Sequence, residues 1–576
     1  MCPIRRRAPG GVVWASLAPR ACSVESLERY TYHMANDSPE PGRPLLQRVA
    51  TRRALLAGAA TLAAGGTAAA VVGLAGSGRG GGGGEGGPPG SSPTPPPTPD
   101  AAKLAAEALR RPIQEPMVRA AHLLRRAGWG ATLAEIEAFS ALSHEEAADR
   151  LLNFESVDNS ALDGRVAAAN FNLSTPGRGL DNQRPLITTE MQRWWLTRMS
   201  YTARPLEERM TYIWHGLLTT QVSILEMMGA RTIVRQNELF RSHALGRYDD
   251  LLQAVAKDPA MMIYLNTADS TKEHPNENFP RELMELFSMG EGNYTEDDVR
   301  ESARAFTGWR LTPLQRRPIP QGLSDRERNE FVSQMWAAWQ PEWRLDPELH
   351  DNGMKTFLGR TGAFGGEDIV SVILEQRATG RFITRRLFSE LAYREPDEET
   401  VDRLVEVWDS SGHSVREVVR AILISDEFYS QRAYRSLVRS PVEFAVGAVR
   451  ALGLETDWRG IERAAAAMDQ RLFEPPSVAG WPGGVTWLSS STFFGRVNFL
   501  DTILFPRGEA VAIPGLQHSA SPEALVDATL RLLVDDNIAP ESRASLQAYA
   551  RTVADSQERA AAIAYLVLAS PEYQLA

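Results

Sequence analysis

From Ala101 onward, apolar residues recur with the period of an α-helix. Pro205 to Leu218 shows the pattern: Leu206, Met210, Ile213 and Leu217 fall at i, i+4, i+7 and i+11, and Pro205 suits a first helical turn. The same period predicts helices over 101–110, 116–127, 132–139, 143–153, 188–202, 231–243, 247–257, 296–306, 367–376 and 378–391. It continues over 397–410, 414–425, 440–452, 460–468, 522–533, 540–553 and 556–568. No sustained two-residue alternation bounded by hairpin turns occurs. The expected fold class is all-α: one large multi-helix body, residues 101–576, with long ordered loops. Residues 311–348, rich in Arg, Pro, Trp and Gln, interrupt the pattern and read as an insertion, whether hairpin, lid or loop. Residues 469–495 read as an ordered loop, because their aromatic side chains would not be left in water. ISDEFYS (424–430) and ASPEYQ (569–574) each close a helix of like pattern, a hint of two related helical units.

The chain ahead of this body has a different character. Arg52-Arg53 opens a long uncharged Ala/Gly-rich run, which resembles a twin-arginine export signal. Met34 starts a leader of ordinary length, so residues 1–33 read as an upstream extension and 34–76 as the signal. Residues 77–100, Gly-rich then Pro-rich, form a linker. Leader and linker are expected to be disordered. Export to the periplasm or beyond follows, with cleavage near Ala68-Ala69-Ala70 or, as the alternative, retention of the run as a membrane anchor. Cys2 and Cys22 both precede the run, so a processed chain has no thiol for disulfides, thiolate zinc sites or nucleophilic catalysis.

The charge balance, 62 Lys and Arg against 72 Asp and Glu, contains no basic block and argues against a nucleic-acid partner. Arginine replaces lysine almost everywhere; the lysines are Lys103, Lys257, Lys272 and Lys355. Scattered arginines therefore carry no message about phosphate.

Three polar groups stand out against the helical pattern. The first is HPNENFPRELMELFSMGEGNYTEDD (274–298). Its second half is a helix start, with Thr295 as N-cap and Asp298 three residues on. In its first half Asn278 or Phe279 caps a helix that Pro280 starts and Gly290 ends; Leu283, Leu286 and Phe287 supply the buried stripe, and Arg281 can pair with Glu285. His274, Glu277, Glu282 and Glu285 are less well explained by capping and stand as candidate metal ligands or acid/base groups. Pro275 rules out a helical Glu-x-x-His arrangement. The second group is Glu208 and His215, nearly aligned on a helix away from its apolar stripe, facing water or lining a cleft. The third is HDNGMKTFLGRTGAFGGED (350–368), with His350, Asp351 and a lysine, Lys355, where this chain nearly always writes Arg; a position that kept Lys calls for a compact ammonium. Phosphate-loop, zincin, nucleophile-elbow and dinucleotide spacings are all absent.

Taken together, HLLRRAGWGATLAEI (122–136), WHGLLTT (214–220), NENFPRELMELFSMGEGNYTEDDVRESARAFTGW (276–309), HDNGMKTFLGRTGAFGGEDIV (350–370), RSPVEFAVGAVRALG (439–453) and RLFEPPSVAGWPGGVTWLSSSTFFGRVNFL (471–500) resemble the bacterial family called domain of unknown function 1800. The resemblance implies an exported protein, often encoded beside a second exported protein, and no established activity. This chain departs from the family pattern at Leu217, where a second histidine is common, and at Pro280, where Ala is common. Two functions stay open. One is an envelope-associated helical scaffold that binds an exported partner or envelope polymer, with Trp481, Trp487, Asn276, Asn278 and the 311–348 insertion as contact groups. The other is a metal-dependent or acid/base enzyme on an envelope substrate, with Glu282, Glu285, His350, Asp351 and Lys355 as catalytic candidates. Glu208, His215, His274 and Glu277 would then be candidate ligands of a divalent metal, the one cofactor these side chains suggest. The enzyme reading requires the polar motifs to converge in a pocket. The scaffold reading requires them to lie apart, each as a cap or salt bridge, with aromatic residues clustered on the surface.

Overall fold

The computed structural model describes residues 107–576 apart from 172, 174–179, 226–228, 315–316, 461, 517–518 and 520. The upstream extension, export signal and linker expected over 1–100 lie outside the described residues, as does most of the 101–110 helix. Within them the fold is all-α. Helices run Pro116–Arg126, Leu133–Ser140, His144–Leu152, Ser160–Ala169, Leu180–Tyr201, Pro205–Leu217, Gly229–Ser242, Tyr248–Ala256, Pro259–Tyr264, Asn278–Glu285 and Glu296–Ala305. They continue Asp325–Ala338, Gly366–Leu374, Arg377–Leu391, Glu398–Ser410, Val415–Leu423, Pro441–Ala451, Glu462–Ala466, Ser490–Leu504, Pro522–Val534, Pro540–Thr552 and Ser556–Leu568. Among the described residues, no helix is long and apolar enough to cross a membrane.

Local chemistry sets many of these starts. Thr132, Ser143, Thr295 and Ser440 form capping boxes with Glu135, Glu146, Asp298 and Glu443. Each such cap is worth about 1 kcal/mol against alanine. The core then closes over large side chains: Trp129, Trp195, Trp214, Trp408 and Trp458 are among the most completely buried.

Two short hairpins appear that the helical period did not predict. Strand β1 (Trp309–Leu311) pairs antiparallel with β2 (Trp343–Leu345). This stem carries the 325–338 helix, so the interruption at 311–348 is a hairpin stem with a helical excursion. Strand β3 (Lys355–Phe357) pairs with β4 (Arg360–Gly362) through Leu358 and Gly359, both at positive φ (46° and 77°), as a two-residue type I′ turn demands. Three residues per strand are too few to show alternation. The 469–495 segment is likewise only partly a loop. From Ser490 it is a helix, capped by Ser489 and apolar on several sides because it is buried between 462–466 and 556–568.

The paired closing motifs have a structural counterpart. Helices 377–391, 398–410 and 415–423 pack on one another and end in Phe428 and Tyr429, both buried. Helices 522–534, 540–552 and 556–568 do the same and end in buried Tyr573.

Candidate functional site

The 205–217 helix buries the expected stripe, but it buries its polar side too, because the 180–201 and 229–242 helices pack beside it. Glu208 is fully enclosed. It accepts from Trp195 Nε1 at 3.0 Å, Arg198 Nε at 2.9 Å, and Arg241 Nε and Nη2 at 2.8 and 3.0 Å. Burial alone would push its carboxyl up; Arg241 and Arg198 outweigh that and hold it below the ordinary range. The oxygens of this candidate metal ligand are thus committed to two guanidiniums and an indole.

His215 does not face water or line an open cleft. It is 2% exposed, ringed by Trp195, Phe473 and Trp481 at 5.0, 5.3 and 5.7 Å between centroids. Its Nε2 accepts the Phe473 N–H at 3.3 Å, and burial pushes its pKa down to about 3. It is a neutral acceptor for a loop residue in the left-handed region (φ 65°). The same loop is held by Gln192 Nε2 donating to Leu472 O (3.1 Å), Val222 N–H to Phe473 O (2.9 Å) and Thr219 Oγ1 to Val478 O (2.5 Å). Gly480, at φ 81°, comes so close that a Cβ there would lie 2.7 Å from Gly216 O. WHGLLTT and RLFEPPSVAGW are therefore one docked unit.

The other two polar motifs form a second unit. The 278–285 helix begins two residues earlier than Pro280 and ends before Gly290, whose N–H returns to Met284 O at 3.0 Å. Glu277 is its N-cap residue. Asn276 Oδ1 accepts the Asn278 N–H at 2.9 Å, so these two asparagines shape the helix entry. The buried face is Phe279, Pro280, Leu283, Met284 and Phe287; Leu286 is only half-buried. Arg281 pairs with Glu277 (3.3 Å) and Glu296 (2.7 Å) instead of Glu285, which accepts the Tyr294 hydroxyl at 2.7 Å. His274 is exposed, with its side chain bonded to no described residue.

The His-Asp loop is braced from the 296–305 helix. His350 Nδ1 donates to Thr307 O at 2.8 Å, and Thr307 Oγ1 accepts the Asp351 N–H at 2.8 Å. Asp351 receives Arg304 Nε and the Gly353 N–H, each at 2.8 Å, and Arg304 holds its carboxyl low. Lys355 is 1% exposed and turns its ammonium onto the carbonyls of Asp351 (2.6 Å) and Gly353 (3.0 Å); burial lowers its pKa. A point donor on a flexible stem fits there as a planar guanidinium would not.

Among the described residues, no hydrogen bond or ion pair joins His215, His350 or Asp351 to Glu277, Glu282 or Glu285. No three His, Cys, Asp or Glu side chains there are grouped to hold a metal ion. One carboxylate remains uncommitted. Glu282 is half-buried and accepts no hydrogen bond from any described residue; burial and then Glu285 raise its pKa against the pull of Arg281. Glu282 and Glu474 both raise the hydroxyl of Tyr264, after burial itself, so the two carboxylates share its surroundings. Tyr264 and Glu474 were missed by sequence reasoning. Glu474 sits inside RLFEPP and was open to notice; Tyr264, in a six-residue helix, carries no signal.

The expected aromatic surface is displaced. Trp487 is 5% exposed, because the 490–504 helix folds back over it: Thr492 Oγ1 donates to Trp487 O at 2.9 Å. Trp481 is half-buried against His215. The exposed apolar side chains of this region are Val485, Leu488 and Phe494.

Residues 122–575 match the family model described as protein of unknown function (DUF1800). The chain belongs to that family. No curated protein and no solved structure matches it. The DUF1800 match takes in both docked units. It begins at His122, whose Nε2 lies 2.9 Å from Phe428 O, and reaches the tail residue Leu575, which makes an isolated bridge to Val438.

Proposed function

We propose that this DUF1800 chain is an exported, envelope-associated helical binding protein that works with an exported partner protein. The observation that carries this is the fate of the polar motifs. Glu208, His215, Asp351 and Lys355 are spent on internal bonds, while Val485, Leu488 and Phe494 stand in water on the segment that follows the docked loop. Exposed apolar side chains beside rigidly held backbone suit a contact made by aromatic or aliphatic anchors. The resemblance of Arg52-Arg53 and the Ala/Gly-rich run after it to a twin-arginine signal supports the export part of this reading. The test is photo-crosslinking in the native envelope, with a photoreactive phenylalanine at position 494 and, as control, at exposed Glu541. The expected result is one discrete protein adduct from position 494 only. No adduct, or equal adducts from both positions, would overturn the proposal.

A second reading, an acid/base enzyme on an envelope substrate, is favoured by Glu282 alone, which has the raised pKa and free oxygens of a proton carrier. It requires an envelope polymer that the wild type cleaves and Glu282→Gln does not.

A further inference from the structure

Four arginines, Arg125, Arg435, Arg439 and Arg496, surround the buried Tyr573 closely enough to act on its hydroxyl. Carboxylates do not match them. Asp535 takes Arg125 (2.6 Å) and Arg435 (2.8 Å), and Glu443 is taken by Arg209. Arg496 donates to Gln574 Oε1 and to the carbonyl of Arg439. Arg439, 3% exposed, donates only through Nε, to Leu575 O at 3.2 Å; its two terminal nitrogens bond to no described residue. A buried guanidinium without a counter-charge is costly.

The free ends of these groups meet at one place. A cavity of about 20 Å³ is lined by Arg125, Arg439, Tyr573 and Gly447, with apolar walls from Ile136 and Leu532 among others. The Tyr573 hydroxyl and Arg125 Nε are both buried with no hydrogen-bond partner among the described residues. Gly447 allows the close approach: a Cβ there would lie 3.1 Å from Arg439 Nη1, 3.1 Å from Trp129 O and 3.3 Å from the Tyr573 hydroxyl. Such a volume admits one water or one monatomic ion. The Arg125 and Arg439 guanidiniums outweigh the Trp129 carbonyl in charge, and the nearest acidic oxygens are engaged.

We propose that this cavity binds a single monatomic anion, chloride, held by Arg439 and the Tyr573 hydroxyl. The anion supplies the missing counter-charge and accepts from donors that otherwise have none. It also ties three distant parts of the chain, the 129–131 turn, the 439–447 segment and the C-terminal tail.

The test uses the full chain at fixed ionic strength, replacing sodium gluconate, a bulky organic anion, by sodium chloride or bromide. Thermal melting is expected to rise and saturate with either halide. Crystals grown in bromide are expected to show an anomalous peak between Arg439 and Tyr573. Tyr573→Phe removes one unpaired hydroxyl, so it folds, and its half-saturating chloride concentration is expected to rise about tenfold, the worth of one hydrogen bond to a charge. Equal melting in gluconate and chloride, no bromide peak, or a Tyr573→Phe response identical to wild type would each overturn the proposal in favour of a buried water.

Discussion

A neutral imidazole enclosed by Trp195, Phe473 and Trp481 makes stability depend on pH. In the unfolded chain His215 titrates at about 6.5; in the fold burial holds it to about 3. The unfolded state therefore takes a proton that the folded state refuses, and stability present above about pH 6.5 is lost as pH falls toward the folded value. His122, buried against Phe428 and lowered by burial and then by Arg126, contributes with the same sign. His215→Gln keeps an acceptor for the Phe473 N–H but has no titration. Urea unfolding over a pH series is expected to show a shallower acid loss in this variant than in wild type; equal slopes would contradict the assignment. The sequence showed His215 lying off the apolar stripe, and that placement was right. Its surroundings were not legible, because Trp195 and Phe473 come from other parts of the chain and a single helix period says nothing of what covers its far side.

At the scale of elements, the loop from Gln470 to Trp487 depends on backbone approach more than on side chains. Gly480→Ala meets two penalties: a left-handed φ of 81° and a Cβ 2.7 Å from Gly216 O. A loss of about 2–4 kcal/mol is expected, with hydrogen exchange rising over 472–481 ahead of the rest. Gly359→Ala, equally left-handed but with open space around it, is the matched control and should cost about 1 kcal/mol. Capped, amphipathic helices such as 296–305 and 398–410 were readable from period and cap alone. Helices 259–264, 325–338 and 490–504 were not, for three physical reasons. The first is too short for a period, the second is largely polar, and the third is buried on several sides, with Gly495 placed against Ala467 O. The Leu358-Gly359 hairpin was visible only as a glycine, since Leu at positive φ gives no signal of a type I′ turn.

For the whole molecule, family membership and all-α class were both open to the sequence because ordered motifs and helical periods are spread over the entire body. What the motifs do was not, because their partners are remote: Lys355 reaches back to Asp351 and Gly353, but its loop is fixed by Arg304 and Thr307, and Glu208 is held by Arg198 and Arg241. Glu208, His215, Asp351 and Lys355 are internal braces, and the proposed partner contact falls to the 485–494 segment. Groups kept for chemistry commonly cost stability, so removing them leaves a fold as stable as before or more so; braces do the reverse. The most direct measurement is the unfolding free energy of the full chain carrying Lys355→Met, which keeps the apolar stem and removes the ammonium. We expect a loss of about 1–3 kcal/mol, as two carbonyls lose their charged donor. An unfolding free energy equal to or above wild type would contradict the bracing role and return the His350-Asp351-Lys355 loop to the candidates for a reactive site.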